Sequence, residues 1–167
     1  GTRAAVFYDG LLYDNVLVRP RGGSRARSWP KKSFKFDFHK GYYFQFSPDE
    51  APVEEFNLNA TYSDKSYLRQ VLAWETYRDS GVAYSISFPM RVQQNAEFYS
   101  VAIFVEQPDE RYLERQGLDP AGALYKMRNL ATSATDKALK RTRLNEDHSD
   151  LQALIDGIHL SEPERTL

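Results

Sequence analysis

Arg21-Gly22-Gly23-Ser24-Arg25-Ala26-Arg27-Ser28-Trp29-Pro30-Lys31 runs directly into Lys32-Ser33-Phe34-Lys35-Phe36-Asp37-Phe38. The first part is basic and glycine-containing, with no large apolar residue before Trp29, and reads as a loop. The second part alternates strictly at period two and reads as a strand. Phe34, Phe36 and Phe38 share one face, and the same parity puts Lys32 beside them. Upstream, Ala5-Val6-Phe7-Tyr8 and Asn15-Val16-Leu17-Val18-Arg19 flank Asp9-Gly10, the pattern of a β-hairpin.

Downstream of Pro48 and Pro52 the period changes. Residues 64–80 have helical spacing, with Ser63 or Asp64 as the N-terminal cap and Gly81 just past the end. Leu68, Leu72 and Glu75, with Val71 beside them, form the face expected to meet the core, so a carboxylate shares that face. Strands follow at about 88–93 and 98–105 around a turn at Gln94-Asn95-Ala96-Glu97, then a short helix at 109–116 that Gly117 stops. Leu124-Tyr125-Lys126-Met127 reads as one more strand. Residues 131–147 turn polar, as a mobile loop or solvated helix would, and 150–158 regain helical periodicity. The order predicts an α+β fold, a mostly antiparallel sheet with one main helix. Two parts are expected, residues 1–107 and residues 108–167. The chain opens on Gly1, as a processed start would, and Ser161-Glu162-Pro163-Glu164 opens a helix just before Leu167, as in a truncated end.

Composition narrows the function classes. The 22 Lys and Arg against 23 Asp and Glu leave a net charge of -1, so no global field draws the chain to nucleic acid or anionic lipid, and an anion site must be local. Nucleic-acid binding through the arginine loop and Trp29 is disfavoured because the basic cluster is short. No apolar run approaches the ~20 residues of a membrane span. With no cysteine there is neither a thiolate zinc site nor a thiol nucleophile. His39, His148 and His159 lack metal-ligand spacing. Asp136, Asp147, Asp150 and Asp156 read as solvated, and Ser24 and Ser28 sit in no nucleophile elbow.

A basic glycine loop, a strand lysine and a helix glutamate together suit a polyphosphate. Glycines admit backbone amides, arginines supply forked donors, and a lysine held by a glutamate fixes an ammonium against phosphate oxygens. A plainer reading stands beside it: Lys32 snorkels to water at the start of its strand and Glu75 lies at the rim of its helix.

Four blocks in register tip the balance. Arg19 to Phe34 resembles the arginine-glycine, serine-arginine, proline-lysine-lysine-serine signature of the CotH kinase family. Leu58 to Asp64 leading to Leu68-Arg69, the helix Leu72 to Gly81, and Phe104 to Leu113 with Gly122 to Lys126 agree in order. The resemblance implies an atypical protein-kinase-like small lobe continuing into part of a helical large lobe, reached through a hinge after residue 107. It implies binding of ATP with Mg2+ or Mn2+ and phosphorylation of serine on protein substrates, as on the spore coat. Carried over by position, Arg21, Ser24, Arg27 and Lys32 match the phosphate-side signature, Glu75 matches the helix carboxylate, and Glu106 and Gln107 fall where backbone reaches adenine. The catalytic and metal aspartates are expected beyond Leu167, so no catalytic residue is assigned here. An extra residue around Gly23 to Ala26, and Asn95-Ala96 in place of Asn-Gly, depart from the family pattern. The alternative is a non-catalytic surface or spore-envelope module that uses the same scaffold to bind a partner.

Overall fold

The computed structural model describes residues 1–23, 28–127 and 138–159. The chain divides into two compact units, Gly1–Gln107 and Pro108–Leu167.

The first unit carries β1 (Thr2–Tyr8), β2 (Leu11–Arg21), β3 (Ser33–Asp37), β4 (Glu55–Asn59), α1 (Arg69–Asp79), β5 (Ser87–Gln94) and β6 (Glu97–Glu106). Its six strands form one antiparallel sheet in the order β1-β2-β3-β4-β6-β5. Register sorts the side chains. Val18, Phe36, Phe56, Phe104 and Phe88 fall in line on one face; Arg19, Lys35, Asn57, Val105 and Ser87 fall on the other. The first face is covered in part by the connection between β3 and β4, which folds back through the Phe44–Val53 bridge and buries Phe38, Phe44, Phe46 and Val53. Phe104, fully buried, has the rings of Phe88, Phe46 and Phe56 within 4.7, 4.9 and 5.1 Å. Each such phenylalanine contributes ~1.5–3 kcal/mol by burial, so the aromatic face is what holds the sheet together.

The opposite face carries α1. Here the helix differs from expectation. It begins at Arg69, because Asp64 instead closes a turn in which its carboxylate accepts from the amides of Ser66 and Arg69. Val71 is its buried residue, packed with Ile103 and Val105, whereas Leu68 and Leu72 stand 49% and 54% exposed. The helix therefore meets the sheet about one residue's rotation, ~100°, from the face its leucines suggested.

Two tight turns set hairpin registers. Asp9 and Gly10 both take positive φ (46° and 81°), as do Asn95 and Ala96 (52° and 68°). These are the left-handed pairs of a type I′ turn, which alanine adopts at a cost.

The described part of the second unit has α2 (Glu110–Arg115), β7 (Tyr125–Met127), β8 (Ala138–Lys140) and α3 (Ser149–His159). Asp109 caps α2 by accepting from the Tyr112 amide at 3.0 Å. Strand β8 falls in the stretch expected to be loop or helix, and pairs antiparallel with β7. Buried Thr142 stitches the unit by donating to the Gly122 carbonyl (2.7 Å) and accepting from the Leu124 amide (2.8 Å). Asp147 and Asp150 are exposed, as expected, and also make local contacts: Asp147 accepts from Ser149 at the start of α3, and Asp150 accepts from the Tyr125 hydroxyl. The Ser149 hydroxyl and amide hold the Asp147 carboxyl below its usual range. Asp136 lies outside the described residues. No helix among the described residues is long and apolar enough to cross a membrane.

Candidate functional site

The helix-bearing face of the first unit is polar where β2, β3 and β4 adjoin, and the basic loop begins and ends there. Arg21, the last residue of β2, donates from Nη1 to Asn59 Oδ1 at 2.8 Å, and Asn59 Nδ2 donates to Gln70 Oε1 at 2.9 Å. This chain of side chains joins the start of the loop to the end of β4 and the first turn of α1. At the loop's far end Ser33, opposite Arg21 in register, accepts from the Ala60 amide at 2.9 Å. Gly22 takes φ 103°, which side chains avoid, so the chain turns sharply out of β2. Both stems of the loop are thereby fixed on the same rim. Ser24 and Arg27 lie outside the described residues, as does Arg25.

Lys31, the first of the two adjacent lysines, makes contacts on this face. Its ammonium donates to the Val101 carbonyl and to the Tyr67 hydroxyl (3.2 Å), and lies 4.3 Å from the centre of the Tyr67 ring. Tyr67 in turn packs against the Val71–Ile103–Val105 cluster beneath α1. Lys32 is half-buried and stands just ahead of β3. Phe34 and Phe36 point away from α1, so Lys32 reaches the helix side only if the backbone leaves the alternation of β3 before Ser33. Glu75 is half-buried on α1, in a recess of about 150 Å3 with Trp74, Arg78, Tyr84 and Ser85. Among the described contacts none joins Lys32 to Glu75.

The partly buried lysine–carboxylate pairing on this face lies within the strands. Lys35 pairs with Glu55 across β3 and β4 and with Asp37 at 3.1 Å, while Arg19 reaches Asp37 at 2.9 Å. Burial pushes the Glu55 carboxyl up from its ordinary value, and the neighbouring Asp37 adds to the rise against the pull of Lys35. Burial acts the same way on Asp37, but hydrogen bonds from Glu55 and Lys35 and the charges of Lys35 and Arg19 outweigh it and hold that carboxyl low. A proton entering the pair resides on Glu55.

At the end of β6, Glu106 is 4% exposed and is bonded to Ile86, the residue that leads into β5. Its amide donates to the Ile86 carbonyl (2.9 Å), and its carboxylate accepts from the Ile86 amide (3.0 Å). The carboxylate thus serves to fix the start of β5. Gln107 Oε1 accepts from Asn57 Nδ2 at 2.9 Å, which ties the residue after β6 back onto the polar face.

The structure therefore sets Arg21, Lys31 and the stems of the loop around one rim, and places Glu106 and Gln107 at the end of the same sheet. Lys31, Asn59 and Gln70 were not singled out from the sequence. The signal for Lys31 was present: it shares the parity of Ser33 and Lys35, both on the helix-bearing face. Asn59 and Gln70 carried no local pattern. Chemically, the fixed guanidinium and ammonium groups suit phosphate oxygens. Among the described residues no cluster of three or more histidine, aspartate or glutamate side chains is arranged to hold a metal ion.

Compared with known families, residues 18–166 match the model described as CotH kinase protein. No curated protein matches the chain.

Proposed function

The chain belongs to the CotH kinase family, and from that premise we propose that it supplies the nucleotide-phosphate grip of an ATP-dependent protein kinase acting on serine. On this reading Gly1–Gln107 is the small lobe, and the second unit begins a helical large lobe. The observation that carries it is the two-ended fixing of the basic glycine loop, through Arg21–Asn59–Gln70 on one stem and Ser33–Ala60 on the other. Stems fixed on one rim hold the two ends of the loop at a set separation, and positioning of this kind is what phosphoryl transfer asks of a protein.

Arg21, Ser24, Arg27 and Lys32 are assigned to the phosphates, with Lys31 as a second ammonium on the helix-bearing side. Glu75 is assigned to hold a lysine when the loop closes on nucleotide. Glu106 and Gln107 are assigned to the adenine side through their backbone, since the Glu106 carboxylate is already committed to Ile86. A divalent ion, Mg2+ or Mn2+, would neutralise charge between the outer phosphates when bound. The serine hydroxyl oxygen bonds to the γ-phosphorus as the bond to the ADP oxygen breaks, and its proton passes to a base.

The test is calorimetry and phosphorylation with the complete protein. Wild type is expected to bind ATP with Mg2+, and Lys32→Ala to abolish ATP-dependent labelling of a protein substrate while the thermal midpoint holds. Labelling at the normal rate would remove Lys32 from the site. Silence toward ATP in the wild type would favour the non-catalytic binding module.

A further inference from the structure

The far stem of the basic loop is clasped at every second residue by the connection between β4 and α1. The Trp29 ring lies 5.4 Å from that of Tyr62. Next along the stem, the Lys31 ammonium donates to the Tyr67 hydroxyl at 3.2 Å, and then the Ser33 hydroxyl accepts from the Ala60 amide at 2.9 Å. The connection is sharply bent at both ends. Thr61 and Tyr67 take positive φ, 48° and 59°, a region that β-branched and bulky side chains avoid.

Tyr67 offsets that strain through its side chain. The ring packs against Val71, Ile103 and Val105, its centre lies 4.3 Å from Lys31 Nζ, and its hydroxyl takes the lysine's hydrogen bond. Backbone strain persists where such contacts over-determine it, and it gathers at ligand sites. What the contacts leave unsatisfied identifies the ligand's chemistry. An ammonium has three N–H donors. Lys31 commits one to the Val101 carbonyl and one to the Tyr67 hydroxyl, so among the described contacts one remains. Both acceptors are neutral, and no carboxylate pairs with Lys31 among the described residues. Lys35, by contrast, meets Asp37 and Glu55. A half-buried cation in a fixed place, with a spare donor and no counter-ion, is complementary to the oxygen of an anion.

We propose that Tyr67 is a positioning residue, which holds the Lys31 ammonium so that its third N–H meets an oxygen of a bound polyphosphate. This role rests on the nucleotide-phosphate reading of the rim and adds the residue that aims its cation. A carboxylate in the place of Tyr67 would cancel the charge that Lys31 brings to the rim, whereas a hydroxyl and a ring face fix the ammonium without neutralising it.

The experiment is calorimetric titration of the complete protein with inorganic tripolyphosphate and, separately, with ATP and Mg2+. Wild type, Tyr67→Phe, Lys31→Met and the double variant are compared. Tyr67→Phe keeps the ring and its packing and deletes only the acceptor. It is expected to weaken tripolyphosphate binding about three- to tenfold, and Lys31→Met about ten- to a hundredfold. In the Lys31→Met background Tyr67→Phe should weaken binding no further, which separates aiming of the cation from a general loosening of the connection. Should Lys31→Met fail to fold, Lys31→Gln takes its place. Unchanged affinity in Tyr67→Phe, or an equal loss with and without Lys31, would overturn the proposal. Tripolyphosphate binding that shows the coupling, together with silence toward ATP, would remove the nucleotide assignment alone. ATP binding indifferent to Tyr67→Phe would remove the role of Tyr67 alone, and silence toward both ligands would remove both.

Discussion

Replacing Asn59 with alanine removes two links at once, the charge-assisted bond from Arg21 at 2.8 Å and the amide–amide bond to Gln70 at 2.9 Å. A hydrogen bond to a charged group contributes ~1.5–3 kcal/mol net and a neutral one ~1 kcal/mol. Both contacts are part-buried, so water recovers some of the loss and the sum falls to about 2 kcal/mol. For a unit of roughly 100 residues that corresponds to a fall in thermal midpoint of about 8–16 °C. Stability alone would not identify the link, so the assay is a double-mutant cycle. Wild type, Arg21→Ala, Asn59→Ala and the double variant are unfolded in urea and compared at equal slope. A coupling of about 1 kcal/mol is expected between positions 21 and 59. The same variants should lose ATP affinity in parallel, because Arg21 and the loop it anchors lose their fixed geometry. A coupling below ~0.3 kcal/mol would refute the claim that the loop stem is held through Asn59.

Ala96→Gly is expected to stabilise the first unit by about 0.5–1 kcal/mol, since alanine at φ 68° bears a left-handed penalty that glycine escapes; an unchanged or lower midpoint would count against the turn assignment. Glu55→Gln should alter the pH dependence of stability. The raised carboxyl of Glu55 contributes stability that is fully present below its unfolded value and is lost as pH rises through its folded one, so removing it should help the variant more at pH 7 than at pH 4. Asp37, held low, contributes the opposite slope, present above its unfolded value and lost as pH falls through the folded one; this acid-side loss should persist in the variant. Urea unfolding across that range would show a variant-minus-wild-type difference that grows with pH, and a flat difference would dismiss the coupling.

Alternation made the β3 strand and the β5–β6 hairpin legible, because one buried face and a two-residue turn leave little choice of register. The same rule did not reveal β4, whose five residues carry only Phe56 and Leu58 as a period-two signal and follow two prolines. For α1 the presence of a helix was readable, but its orientation was not. Leu, Trp and Tyr lie around much of its circumference, so no single apolar stripe picks out Val71 against the Ile103–Val105 strand. The site shows the same limit at finer scale. Lys31 and Lys32 are neighbours of opposite parity, and an error of one residue in where the strand begins exchanges the lysine that faces the helix. Glu106 was placed from the sequence by its backbone alone, and nothing local reveals the partner of its carboxylate, the Ile86 amide, 20 residues away in sequence.

The sheet order has a consequence for how the molecule is built. Strands β1 to β4 are a meander and β5 with β6 a hairpin, and the two blocks meet along a single seam, β4 against β6. Each block can acquire its own register early, while the seam waits on the closure of the connection through α1. A nick between Thr61 and Asp64 would spare every ladder in both blocks, and the halves should find one another again as Phe56 meets Phe104. The first unit is in that sense a complementary pair of fragments that happens to be covalently joined.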